Sequence, residues 1–373
     1  MMQCFDVLVI GGGMAGLSVA AECAQGKGLR VAVLEREAQC GFHSTGRSAA
    51  KFIENYGNAE VRRLNRASLR FFEQTPYDVW EHALLHPRGT FYIALPGHEH
   101  ELDALLADSK GIEQVAPGAV SAAIPVLKPD TIAAALYEAG AQDIDVNELL
   151  QGYRRLLRRH DGLLQCKAEV QTLQRRDGLW QVTSKAGEFA APLVVNAAGA
   201  WADTLAAMAG LDPLGITPMR RSVAITPLPA GQDCRGWPFV VSAAEDYYFG
   251  PEAGKLLISP ADETPVEPHD AYADDMALAE AIHKVQALLT FEVTRIEHSW
   301  GGLRSFSPDR TQVIGFDPRA EGFFWLAGQG GYGIQSGPAA AALATSLIAG
   351  DALPETLRAE GVEAARFAVE RFL

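Results

Sequence analysis

Positive charge, cysteine and long apolar runs are all scarce in this chain. Lys and Arg number 32 against 46 Asp and Glu, for a net charge of −14. Nucleic-acid binding needs a basic surface, so the balance argues against that class of partner. The same charge does not favour docking on anionic lipid. The five cysteines (Cys4, Cys23, Cys40, Cys166 and Cys234) are scattered, odd in number and contain no C-x-x-C pair. They read as reduced thiols of a cytosolic protein. No apolar stretch approaches the ~18 residues of a membrane span. No basic, apolar leader precedes the first strand, so no signal peptide is expected. Internal repeats and low-complexity linkers are also lacking. What remains is a chain of 373 residues with 48% hydrophobic content, long enough for two domains with sizeable cores.

The organising stretch is the first forty residues. Asp6–Ile10 is a short run rich in β-branched residues, the pattern of a buried parallel strand. It runs into Gly11-Gly12-Gly13-Met14-Ala15-Gly16, where Gly11, Gly13 and Gly16 occupy the places of G-x-G-x-x-G. A helical stretch, Leu17 to Gln25, and a second apolar strand, Arg30 to Leu34, follow. Glu35 ends that strand 19 residues after Gly16. This is the dinucleotide fingerprint in its full context. Gly11 permits the turn, Gly13 the approach of a pyrophosphate to the helix N-terminus, and Gly16 close packing of helix on strand. Glu35 accepts the two ribose hydroxyls and repels a 2′-phosphate.

Further along, the loop from Cys40 to Ala50, with Arg47, is suited to wrap phosphates and sugar. Ala59–Glu73 reads as an amphipathic helix. From Tyr77 to Asp143 the texture suggests an insertion with its own small sheet, including a strand Phe91–Leu95 and a helix Glu101–Asp108. Asp145 and Glu148 form a capping box for a helix whose Arg154, Arg155, Arg158 and Arg159 are its solvated face. Strands Leu163–Leu173 and Trp180–Ser184 flank an Asp177-Gly178 turn. Leu193–Val195 is another buried strand, leading into Asn196-Ala-Ala-Gly-Ala-Trp201. A second β-rich insertion spans about Leu214 to Trp300. Phe323–Ala327 then leads into Gly328-Gln-Gly-Gly-Tyr-Gly333 and an Ala-rich helix, Gln335–Ile348. These glycines lack a following strand and acid, so they read as a helix N-terminus aimed at a ligand. The amphipathic end, Val362–Leu373, is expected to pack on the first domain.

The fingerprint, His43-Ser-Thr-Gly-Arg-Ser48, Asn196–Trp201, Gly301-Gly-Leu-Arg-Ser-Phe306 and Gly328–Gln335 occur in the order seen in the D-amino-acid oxidase family. The chain resembles that family over nearly its whole length, and within it the bacterial D-arginine dehydrogenases most. The resemblance implies an α/β fold: a discontinuous Rossmann-like FAD-binding domain (1–80, 146–212 and 303–373) and an α+β substrate domain (81–145 and 213–302) with a mixed, largely antiparallel sheet. It implies cofactor contacts from Gly11, Gly13, Met14, Ala15, Gly16, Glu35 and Arg36, and from Ser44, Thr45, Gly46, Arg47, Ser48 and Ala49. Val170, Ala198, Gly199, Trp201 and Arg304 extend the set, as do Gly330, Gly331, Tyr332, Gly333 and Ile334 around the flavin. Arg221, at the start of a strand, and Arg304 correspond to a carboxylate clamp, with Tyr56, Tyr248 and Gly331 beside them.

The implied activity is oxidative deamination of a D-amino acid, by hydride transfer from Cα to flavin N5. The electrons pass to oxygen, a quinone or another carrier. The flavin-linking cysteine of sarcosine oxidase-type relatives has no counterpart near Gly328, the last cysteine being Cys234, so FAD is expected to bind without a covalent link. A side-chain pocket is expected around Lys51, Thr90, Phe239 and Val241. Thr90 stands where D-arginine dehydrogenase has the glutamate that receives the substrate guanidinium. Lys51 is expected on the solvated surface; facing the pocket, it would oppose a cationic substrate further, with Glu54 as a partial offset. A neutral, apolar side chain is therefore expected over D-arginine. Glycine or N-methyl amino acid oxidation, 2-hydroxy-acid dehydrogenation, and a flavin subunit without turnover of its own stay open as alternatives. No metal site is expected. The expected location is cytoplasmic, or peripheral at the inner membrane face.

Overall fold

The computed structural model describes residues 2–75, 78–107 and 109–373. Its central layer is a six-stranded sheet in the order Leu163–Gln165, Val31–Leu34, Val7–Ile10, Leu193–Asn196, Phe323–Ala327, Val313–Phe316. The first five are parallel and the last is an antiparallel edge. The central strands are apolar throughout because both faces are covered. Val7, Val9, Val31 and Val33 pack with the helices Met14–Lys27, Val146–Arg159 and Gly337–Ala349. Leu8, Ile10, Ala32 and Leu34 pack on the other face with Trp180, Phe189 and Trp325. An antiparallel ribbon covers that face, built from Val170–Arg176, Leu179–Ser184 and Gly187–Ala191 with Gln3–Cys4 at its edge. Asp177 and Gly178 both take positive φ (51° and 79°), the geometry of a tight hairpin turn.

The second layer is a ten-stranded sheet. Its path begins at Gln329–Gly330, His298–Phe306, Thr217–Thr226 and Lys255–Ser259, and continues through Tyr248–Glu252, Phe239–Ser242, Thr90–Ala94, Ala134–Glu138 and Ile112–Val115. Only the pairing of Phe239–Ser242 with Thr90–Ala94 is parallel. That pairing corrects one expectation: the first insertion does not keep a separate sheet for Phe91–Leu95 but joins its strands to those of the second insertion. A three-stranded sheet, Lys51–Phe52, Gln142–Ile144 and Leu85–Pro87, bridges the first insertion and the cofactor half. The boundary expected at 302/303 falls inside the strand His298–Phe306, and Gln329–Gly330 crosses into the second sheet.

Helix Ala59–Glu73 has the expected bounds, its first turn capped by the Asn58 side chain on the Val61 N–H. Other details differ. Leu163–Leu173 is two strands in two sheets, broken where Lys167 adopts φ 56°. Asp145 caps its helix through the Glu148 N–H, but Glu148 does not reach back. Its carboxylate is taken by the Glu81 N–H and by Arg155, so Arg155 is not merely solvated. Arg159 likewise holds Asp78. The C-terminal stretch forms short 3-10 turns, and Phe367 and Val369 are fully buried against the first domain. Tyr77 and Asp108, at expected element ends, lie outside the described residues.

Candidate active site

The strand Val7–Ile10 delivers the chain to Gly11, whose φ of +114° suits glycine, and where an added methyl would strike the Ala197 carbonyl oxygen. Helix Met14–Lys27 starts immediately, and Thr45 Oγ1 accepts the Met14 N–H at 3.0 Å. Glu35 is 7% exposed and folds over this turn. One of its oxygens accepts the Gly12 N–H at 2.7 Å and the other the Glu37 N–H at 2.8 Å. Each oxygen keeps a free lone pair for a ribose hydroxyl. Gly12 must stay small, because a Cβ there would sit 2.9 Å from both Glu35 Oε2 and Cys40 Sγ.

A cavity of about 480 Å³ runs from this turn to the second sheet. Gly11, Gly13, Met14, Ala15, Glu35, Arg36, Ser44, Thr45, Arg47, Ser48 and Ala49 line it, as do Val170, Ala198, Gly199, Trp201, Arg304, Gly330, Gly331, Gly333 and Ile334. The structure brings most of the expected cofactor set together, with four differences. Gly16 lies behind the turn, where it lets helix and strand approach: a methyl there would hit the Gly11 carbonyl oxygen. Gly46 shapes the loop through its bond to the Gly41 carbonyl and does not line the cavity. Tyr332 also stays off the wall; it is buried, packed edge-on to Tyr56 and Phe306. Arg47 lines the cavity, but its guanidinium is committed elsewhere. It donates to the Ala271 and Gly301 carbonyls and pairs with Asp270, stapling the loop to the second half of the chain. Arg36 stacks over the Trp201 ring at 4.6 Å.

A second cavity, about 390 Å³, meets the first at a shared wall that includes Arg221, Tyr248, Arg304 and Gly331. Arg221 sits mid-strand in Thr217–Thr226 rather than at its start, opposite Gly302. Met219 is opposite Arg304, so Arg221 and Arg304 project from the same face as diagonal neighbours, with no side chain at Gly302 between them. Arg304 Nη1 donates to Tyr56 Oη at 2.9 Å. Arg221 is 8% exposed and pairs with Glu263 at 3.1 Å. Burial and the neighbouring Arg304 push its ionisation below the ordinary guanidinium value. Burial pushes the Tyr248 phenol up, but Arg304 and Arg221 outweigh it and leave its ionisation lowered. A Cβ at Gly331 would stand 2.9 Å from both Arg304 Nη1 and Tyr56 Oη, so glycine there keeps the space beside the guanidinium open.

The far end of this cavity is lined by Lys51, Tyr92, Phe239, Val241 and Glu245. Lys51 is not on the solvated surface: its side chain is 8% exposed, Nζ lies 2.9 Å from Asp143 Oδ1, and it sits over the Phe239 ring at 5.1 Å. Two expectations about this end change. Thr90 is fully buried and does not line the cavity; it is the register partner of Phe239 on the neighbouring strand of the same sheet. Glu54 turns to Arg66, 4.0 Å away, and offsets nothing in the cavity. Glu263, Glu245, Tyr92, Arg310 and Asp143 were not anticipated. Only Asp143 had a sequence signal, since a lysine in the apolar setting Ala49-Ala50-Lys51-Phe52-Ile53 needs a buried anion.

An acid folded over a glycine turn at a helix start, and an arginine pair on the wall of the adjoining cavity, suit a nucleotide cofactor beside an anionic ligand. The chain belongs to the DAO family of FAD-dependent oxidoreductases, whose model matches residues 6–347. Glycine oxidase of Geobacillus kaustophilus is 24% identical over 368 residues, covering 92% of this chain and 93% of that protein. Its crystal structure superposes with a TM-score of 0.85 at 21% identity, covering 100% of both chains. L-proline dehydrogenase from P. horikoshii gives a TM-score of 0.81 at 20% identity, covering 100% and 98%. Mitochondrial dimethylglycine dehydrogenase of Rattus norvegicus is 27% identical over 262 residues, covering 68% of this chain. The chain spans only 30% of that protein's length. The residues fit FAD: Glu35 keeps free acceptors, Gly12 and Gly331 leave room that any side chain would fill, and the first cavity is continuous between them.

Proposed function

We propose that this chain oxidises the amine-bearing carbon of a free amino acid that lacks a basic side chain, with FAD bound non-covalently. FAD supplies the hydride acceptor. Arg221 and Arg304, with Tyr56 and Tyr248, hold the substrate carboxylate at the wall between the two cavities and so present Cα to the cofactor side. This convergence carries the reading, because a guanidinium pair with phenols is a carboxylate receptor. The product is an imino acid, which water hydrolyses. The electrons leave to oxygen, a quinone or another carrier. The D configuration and the two-part division of the chain are carried over from the motif resemblance. Non-covalent binding is supported by the cavity linings, which hold no cysteine among the described residues; Cys234 is buried in the second half, near the Lys255 carbonyl. Exclusion of basic side chains is supported by Lys51 at the cavity wall. No helix among the described residues is long and apolar enough to cross a membrane.

A second reading, oxidation of glycine or an N-methyl glycine, is favoured by the relatives named glycine oxidase and dimethylglycine dehydrogenase. Against it stands a substrate cavity of about 390 Å³, more space than glycine needs. The deciding experiment is anaerobic bleaching of the flavin by D- and L-amino acids, N-methyl glycines and lactate. Fastest reduction by sarcosine or glycine would replace the first reading with the second. Fastest reduction by lactate, or no reduction at all, would remove both.

A further inference from the structure

The charges around the substrate cavity do not balance. Four cations line it, Lys51, Arg221, Arg304 and Arg310, against two carboxylates, Glu263 and the exposed Glu245. Glu263 is divided between Arg221 and Arg310. Behind the wall, Asp143 is divided as well: one oxygen takes Arg88 Nε at 2.8 Å and Nη2 at 2.5 Å, and the other faces Lys51 Nζ. Each carboxylate thus serves two cations and leaves one positive charge over. Arg304 adds a third; Glu245 removes one, and the buried Glu138, which accepts the hydroxyl of the cavity-lining Tyr92, removes another. The α end of a zwitterionic amino acid adds no net charge, so one positive charge is left over.

That charge falls at Lys51. Its ammonium carries three donors, and Asp143 takes one. Among the described residues it has no other hydrogen-bond partner; its remaining neighbour is the Phe239 face. Lys51 lines the cavity, so a ligand there can complete its remaining donors. Lys51 lines the substrate cavity alone and is absent from the wall shared with the cofactor cavity. It therefore stands off the shared wall that carries Arg221 and Arg304.

We propose that Lys51 receives a second anionic group, so that the substrate is an amino dicarboxylic acid, held by Arg221 and Arg304 at one end and Lys51 at the other. This rests on the carboxylate-clamp reading and narrows its substrate class. Lys51 acts here on binding, not on the redox step.

Two measurements on the FAD-loaded protein test it. The first needs no turnover: perturbation of the flavin absorbance by glutarate, compared with its monoamide, glutaramate. Glutarate is expected to bind at least about tenfold more tightly. That ratio falls towards one in Lys51→Met and is recovered in Lys51→Arg. The second compares flavin reduction by D-glutamate and D-glutamine, with the L forms as controls, and the acid is expected to be preferred by a similar factor. Equal binding of glutarate and glutaramate, or a ratio unmoved by Lys51→Met, overturns the proposal and shows Lys51 to be only a structural partner of Asp143. Tight, Lys51-dependent glutarate binding without reduction by any amino acid would instead remove the amine-oxidation reading and keep the second anion site.

Discussion

Replacing Glu35 by alanine tests the cofactor end of the site. The carboxylate holds two backbone donors, Gly12 N–H at 2.7 Å and Glu37 N–H at 2.8 Å. The first bond is buried and the second partly so, so water can replace only the second with ease. An orphaned buried donor costs about 1–3 kcal/mol, and the apo-protein should lose about 2 kcal/mol in all. At about 2–4 °C per kcal/mol for a large domain, the apo melting temperature falls by several degrees. The affinity for FAD falls further, because the ribose loses an ionised acceptor. One such bond is worth about 1.5–3 kcal/mol, or roughly a 10–100-fold rise in Kd. Glu35→Gln should fall between wild type and alanine, since its amide can accept from one N–H but turns an NH2 towards the other. The assay is a fluorescence titration of stripped protein with FAD, beside melting curves of the same samples. A Glu35→Ala protein with FAD affinity within about twofold of wild type and an unchanged apo melting temperature would refute this account of the turn.

Arg221→Ala and Arg304→Ala should each weaken amino-acid use while the flavin spectrum stays that of the bound cofactor; losing a buried charge partner costs roughly 2–5 kcal/mol. Unchanged reduction kinetics with the preferred substrate would take that arginine out of the clamp. Asp143 gives a pH signature. Burial raises its carboxyl, but Arg88 and Lys51 outweigh this and hold it below the ordinary value of 3.8. A lowered acid stabilises the fold above its unfolded value and loses that contribution as pH falls through the native one. The difference in melting temperature between wild type and Asp143→Asn should be full at about pH 6 and close below about pH 4; a difference constant with pH would show that the charge is not its source.

The sequence was most legible where structure is local. Helix Ala59–Glu73 and strand Phe323–Ala327 follow from an apolar stripe and an unbroken apolar run, and the observed bounds agree. The glycine turn and Glu35 were legible because strand, turn, helix and acid are contiguous. The proposed clamp follows only from the family resemblance, since Arg221 and Arg304 lie far apart in the chain and meet through a ladder no local pattern encodes. The same limit hid Glu263 and Asp143, whose roles exist only once distant strands pair. It also hid that the Arg47 guanidinium is spent on the Ala271 and Gly301 carbonyls and Asp270, and that Tyr332 is buried off the cavity wall. Thr90 is beside the cavity-lining Phe239 in the sheet, yet fully buried and off the wall, a distinction no local pattern encodes.

The pairing of Gln329–Gly330 with Ser305–Phe306 has a mechanical consequence. The glycine turn that borders the cofactor cavity is hydrogen-bonded into the sheet that carries the clamp. The two halves of the chain cannot swing apart at this seam without tearing a ladder, so a hinge there is not how substrate reaches the wall between the cavities. The exposed Glu245 gives the substrate cavity a solvent-facing side, and the spacing of the arginine pair from the glycine turn is held by the ladder. Strand and turn also share one fate on heating: loosening either half unclips the other, so the chain should melt as a single cooperative body despite its two large sheets.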